Sequence, residues 1–135
     1  MSGPSVVVVG AGASGLSTAL CLAERGCADV TVIDRDHVAA ASSSLSAGIF
    51  TRSYSERLDV ELRVEAHERL CQLERDEGLH LRRNGFLRLA HDSGGLAEFE
   101  RAAALQRELG VDDAVALDRA EIARLVPDMS VDDLA

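Results

Sequence analysis

Lysine is absent from this chain: all 14 of its basic residues are arginine. That excludes a Schiff-base lysine and the lysine of a Walker-A phosphate clamp. Cysteine is scarce: Cys21, Cys27 and Cys71 make an odd count with no CxxC spacing. This argues for reduced, buried thiols and a cytoplasmic setting rather than a disulfide framework. The four histidines (His37, His67, His80, His91) are scattered, without an HExxH or a Cys/His pairing, so no metal site is expected. Long apolar runs are also missing. Val6 to Val9 is too short to span a bilayer or to form a signal core, and no targeting segment is visible. Positive charge is in deficit, with 14 basic against 23 acidic residues and a net charge of −9. An acidic surface of this kind opposes nucleic acid, anionic lipid and membrane insertion.

What is present is an ordinary globular composition, 47% apolar and 27% charged over 135 residues. Residues 5–10, Ser-Val-Val-Val-Val-Gly, read as a parallel strand buried on both faces. From Ala13 to Arg25 the period is helical, with Leu16, Ala19, Leu20 and Ala23 assigned to one face, and Gly26 closes the helix. Val30 to Asp34 is a second short strand, completing a βαβ unit. The serine-rich segment 36–54 reads as an ordered loop, because it carries Ile49, Phe50 and Tyr54.

Ser55 then predicts the N-cap of a long helix ending near Glu77, with Leu58, Leu62, Ala66, Leu70 and Leu73 as its apolar face. Leu79 to Ala90 reads as a hairpin about Asn84-Gly85 or as a continuous strand with a glycine kink. A helix is expected from about Gly95 to Leu109, and a short strand over Val115 to Leu117. Asp118-Arg119-Ala120-Glu121 reads as a capping box for a brief helix stopped by Pro127. The fold class expected is α/β: an incomplete Rossmann-like βαβ dinucleotide-binding fold with extra helices and a short β segment. Residues 1–54 form its cofactor unit and 55–135 its continuation, the start of a substrate domain. A sheet of two parallel strands has open edges, so the chain is read as the N-terminal part of a longer protein.

One motif carries chemistry. Gly10-Ala11-Gly12-Ala13-Ser14-Gly15 matches GxGxxG between a strand and a helix, with Asp34 at the end of the next strand. Gly10 permits the tight turn, Gly12 lets a diphosphate approach the backbone, and Gly15 allows close helix–strand packing. The free N–H groups and dipole at the helix start attract the phosphate charge. The Asp34 carboxylate accepts from ribose hydroxyls and repels a 2′-phosphate, which disfavours NADP. A nucleophile elbow at Ser14 is rejected, because Leu16 stands where G-x-S-x-G requires its last glycine.

With Ala19, Leu22, Gly26, Val30, Val32 and Asp34, the motif resembles the extended signature of FAD-binding flavoproteins of the glutathione-reductase-like superfamily. Ala41 to Tyr54 resembles the loop after the second strand in the D-amino-acid oxidase, glycine oxidase and sarcosine oxidase family. Arg83 to Ala90 and Leu117 to Pro127 are similar to later segments of that family. The resemblance implies an FAD-dependent oxidoreductase that oxidises the C–N bond of an amino acid or N-methyl amine by hydride transfer to flavin.

It further implies that Gly10, Ala11, Gly12, Ala13, Ser14 and Gly15 hold the FAD diphosphate, that Asp34 binds the adenosine ribose, and that Arg35 flanks the adenine. Ser42, Ser43 and Ser44 approach the diphosphate and the flavin side, or else cap their own loop. Arg52 resembles an arginine that meets the flavin or the substrate carboxylate, against the alternative of a surface ion pair. Tyr54, the only tyrosine, is a weaker candidate, and His67 and His80 are read as solvated. Some members attach flavin to a histidine in this loop; Leu45 stands there, which departs from that pattern. The other function class left open is an NAD-binding Rossmann module of a dehydrogenase or sensor. In either case the remainder of the polypeptide, or a partner subunit, is expected to complete the fold, and the fragment alone is expected not to turn over.

Overall fold

The computed structural model describes residues 3–135, which fall into two compact units, Met1–Ile49 and Phe50–Ala135. In the first, strand β1 (Ser5–Val9) leads through the glycine turn into helix α1 (Ala13–Glu24) and back to strand β2 (Asp29–Ile33). The strands pair in parallel, Ser5 opposite Asp29 and Val9 opposite Ile33. Consecutive β-branched valines favour this extended backbone, and the return through α1 is the crossover a parallel pair needs.

The expectation of strands buried on both faces is not met. Val6, Val8, Val30 and Val32 are half-buried, whereas Val7, Val9 and Ile33 are 58%, 80% and 49% exposed. Helix α1 packs on the two-stranded sheet, and alternate residues of both strands are half-buried and exposed. The helix face also differs from the one assigned. Gly15, Ala19 and Leu22 are half-buried at helical spacing, while Leu16, Leu20 and Ala23 are exposed. The small residues Gly15 and Ala19 let α1 approach the sheet, so shape decides the face rather than apolar bulk. Gly26, at φ +86°, closes α1: its N–H bonds to the Ala23 carbonyl and that of Cys27 to the Leu22 carbonyl. The expectation of buried cysteines fails at Cys21, which is exposed; Cys27 and Cys71 are half-buried, and all three thiols are free.

The second unit holds α2 (Arg57–Glu77), α3 (Ser93–Glu108) and α4 (Arg119–Leu125). Its buried residues are Val60, Ala102, Gln106, Val111, Ile122 and Leu134. Helix α2 begins after Glu56, with no side-chain cap, rather than from Ser55, and Gly78 in the left-handed region ends it. Val60 is buried and Arg63, Val64, His67, Arg69, Leu70, Cys71, Leu73 and Glu74 are half-buried, so Leu70 and Leu73 are covered as expected while Leu58, Leu62 and Ala66 are exposed. The apolar count along the helix misplaces the stripe because Arg63, His67 and Glu74 make polar and ring contacts that draw them inward. Helix α3 starts two residues before its expected point, since Asp92 accepts the Gly95 N–H at 2.8 Å. The capping box forms in full: Asp118 accepts from the Glu121 N–H and Glu121 accepts from the Asp118 N–H, each at 2.8 Å.

Neither the hairpin nor the kinked strand forms over 79–90, and Val115–Leu117 is not a strand. These segments find no ladder partner among the described residues, and side chains take backbone groups within the first and just before the second. The Leu81 N–H donates to Glu74, and the Ala114 carbonyl accepts from Arg107.

Candidate functional site

The backbone between β1 and α1 must reverse within three residues, and Gly10 does so at φ +108°, where a side chain would be strained. Its N–H donates to the Ile33 carbonyl at 2.7 Å, tying the turn to the end of β2. Gly12 is the N-cap of α1 in extended conformation; it has no side chain to cap with, and the first turn holds no acid. Neither the N-cap nor the first turn therefore supplies a carboxylate to the positive end of the helix dipole. A Cβ on Gly12 would lie 3.1 Å from the Ser43 Oγ, crowding the hydroxyl that accepts the Ala13 N–H. A Cβ on Gly15 would run into the Gly10 carbonyl group.

Against this turn lies a cleft of about 310 Å³, lined by Gly10, Gly12, Asp34, Arg35, Ser42 and Ser43, with Asp36 and Ala39–Ala41 completing its wall. That is the low end of ligand-cleft sizes, suited to one nucleotide end of a dinucleotide. A helix start with glycine at its N-cap and no acid in its first turn fits a diphosphate. A second hollow of about 350 Å³, along Ser17, Thr18, Cys21, Leu22 and Arg25 on α1, has no comparable set of backbone donors.

The sequence-assigned residues occupy distinct positions. Asp34 Oδ2 accepts the Ala11 N–H at 2.6 Å and Oδ1 accepts the Asp36 N–H at 3.1 Å. These bonds, that from Ala11 foremost, hold the Asp34 carboxyl below its ordinary pKa. Ser43 Oγ accepts the Ala13 N–H at 3.0 Å, so a hydroxyl 30 residues away caps α1 where Gly12 cannot. Ser44 turns its hydroxyl to the Ala41 carbonyl, and Ser42 faces the cleft. Ser14 uses its carbonyl to accept from the Thr18 hydroxyl. Asp36 and Ala39 were not foreseen. Asp36 pairs with His37, and Ala39 takes a left-handed φ of +60° that no sequence signal announces.

Arg52 belongs to the second unit, where its Nη2 donates to Asp113 Oδ2 at 2.7 Å while the arginine side chain is 20% exposed. In the same unit the Arg63 guanidinium lies 3.7 Å over the Tyr54 ring. His67 is not solvated: it stacks on Phe50 and lies 3.6 Å from the Cys71 sulfur. Burial, followed by Arg52 and Arg83, lowers its pKa. His80 is exposed. Among the described residues no group of His, Cys, Asp or Glu could hold a metal ion, and no helix is long and apolar enough to cross a membrane.

Comparison with known proteins agrees with this geometry. Human mitochondrial sarcosine dehydrogenase is 33% identical and the mouse protein 31% identical, each match covering 96% of this chain. The chain spans only 14% of the length of either. A crystal structure of L-proline dehydrogenase from P. horikoshii superposes with a TM-score of 0.88 at 23% identity, covering 96% of this chain and 34% of that one, which shows the fold. Residues 5–135 match the family described as DAO, FAD dependent oxidoreductase. With nearly its whole length matched, this chain belongs to the DAO family of FAD dependent oxidoreductases.

Proposed function

We propose that this chain is the N-terminal, FAD-binding part of a longer oxidoreductase that oxidises the C–N bond of an amino acid or N-methyl amine. The observation that carries the reading is the cleft at the start of α1, walled by Asp34 and Ser43, where the N-cap is glycine and the first turn holds no acid. When bound, FAD supplies the acceptor for the hydride leaving the carbon next to nitrogen. The chain's own part is to bind and orient. Gly12, Ser14 and Gly15 offer amides at the helix start to the diphosphate. Asp34 retains lone pairs for the ribose hydroxyls, Arg35 flanks the adenine, and Ser42 presents its hydroxyl to the cleft.

Arg52 is assigned to the substrate carboxylate or the flavin edge. Asp113 engages one of its nitrogens, and the fork keeps further donors for a planar carboxylate. The three free thiols support a reducing, cytoplasmic setting. Residues 1–54 are assigned to the cofactor and 55–135 to the start of the substrate domain, with the rest of the polypeptide or a partner subunit completing the fold.

The test is to purify the complete protein that contains this chain and to assay its chromophore and substrates. Flavin absorbance that a secondary amine or amino acid bleaches in the native protein, with FAD identified after denaturation, is the expected result. A colourless protein that binds NAD and not FAD would sink the reading.

A further inference from the structure

Ala11 is the most buried residue of the glycine turn, at 5% exposure, and both of its backbone groups are engaged by one segment. Its N–H donates to Asp34 at 2.6 Å, and its carbonyl accepts the Ala39 N–H at 3.0 Å. The neighbouring Gly10 N–H is taken by Ile33. The exit of β2, residues 33–39, thus holds the turn at three points before any ligand arrives. Asp34 is itself fixed from the other side by the Asp36 N–H.

We infer that Asp34 is a positioning residue for the diphosphate turn, in addition to any contact it makes with ribose: its carboxylate orients the Ala11 peptide so that the following amides converge on the phosphates. The inference rests on the FAD reading above and goes further, separating a role through the backbone from a role through the sugar. A peptide group free to rotate at residue 11 would have to be ordered by the ligand, and that cost would appear as lost affinity. The carboxylate supplies the order beforehand through a charge-assisted bond, which is stronger than a neutral one. The charged group that acts on it is Arg35, while the Asp36 carboxylate pairs with His37. The left-handed φ of Ala39 fits this assignment, since a strained residue persists where its surroundings fix it.

The experiment uses the complete protein stripped of flavin, titrated calorimetrically with ADP and with 2′,3′-dideoxyadenosine diphosphate, which lacks the ribose hydroxyls. Asp34→Ala is expected to weaken the dideoxy nucleotide about tenfold or more, and ADP by at least as much. Asp34→Glu, whose longer arm displaces the carboxylate, should restore ADP binding only in part. Weakening confined to ADP, or no weakening of either, overturns the inference and leaves the FAD reading intact. Failure of the wild-type protein to bind FAD or ADP removes that reading first. Should Asp34→Ala not fold, hydrogen exchange at the Ala11 amide of the ligand-free wild-type protein decides instead. Protection supports the clamp, and exchange at the free-peptide rate overturns it.

Discussion

The two units are built on opposite economies of contact. In Met1–Ile49 the elements are consecutive, and a parallel strand pair, one helix and one glycine turn are joined by backbone bonds, by small residues in close approach and by two side chains, Asp34 and Ser43, that accept from turn amides. In Phe50–Ala135 there is no sheet, and named side chains tie distant segments together. Gln106 donates to the Tyr54 carbonyl, Arg52 pairs with Asp113, Arg57 with Glu108 and Arg83 with Glu74. The lesson is that a binding turn made of main chain tolerates almost no added atoms, whereas a helical unit held by side chains should lose stability in separable steps.

The largest break expected is in the first unit. Gly15→Ala forces a methyl group into the Gly10 carbonyl, so α1 must leave the sheet or the turn must open. Overpacking of this kind costs about 3 kcal/mol or more. A melting curve and an FAD titration of the complete protein should show both stability and affinity falling, and an unchanged pair would refute the close-approach account. In the second unit, Gln106→Leu leaves the Tyr54 carbonyl without its donor, costing about 2 kcal/mol in denaturant unfolding with FAD affinity unaltered. Loss of FAD binding in that variant would erase the distinction between the units. Asp118→Ala removes one arm of the capping box and should cost about 1 kcal/mol, with Asp118→Asn recovering most of it.

The smallest effect is titration. Glu74 is held down at about 2 by the Arg83 guanidinium. Its contribution is complete above the ordinary glutamate range and fades as pH falls from about 4.5 toward 2. His67 has a folded pKa below 6.5, so the unfolded chain takes its proton more readily and stability declines as pH falls below that value. Acid should therefore loosen the second unit in two stages, the His67 stage first. A single acid transition that the His67→Gln variant leaves unmoved would contradict this.

How much was legible follows the same division. The βαβ order, the glycine turn, the Gly26 and Gly78 stops and the Asp118–Glu121 box were all readable, because each depends on neighbours within a few residues. The covered face of α2 was legible only in its last turns, at Leu70 and Leu73. Counting Leu58, Leu62 and Ala66 as inward ignores that Arg63 stacks on Tyr54 and His67 on Phe50, contacts made by residues outside the helix. The hairpin at Asn84-Gly85 failed for a related reason: Gly85 does take the left-handed φ of +79°, but a strand also needs a partner strand. At the site, Gly10, Gly12, Gly15 and Asp34 could be picked out by type and spacing, while Ala39 and the capping role of Ser43 could not.

The sequence by itself determined where this chain turns, caps and stops, and which residues can approach a phosphate without a Cβ, because local sterics and short-range hydrogen bonds answer those questions. Only the tertiary structure decided that Asp34 grips the Ala11 amide, that Ser43 serves a helix 30 residues away, and that Arg52 meets Asp113. Those are pairings between segments far apart in sequence, and spacing along a chain carries no record of which distant donor a given acceptor will find.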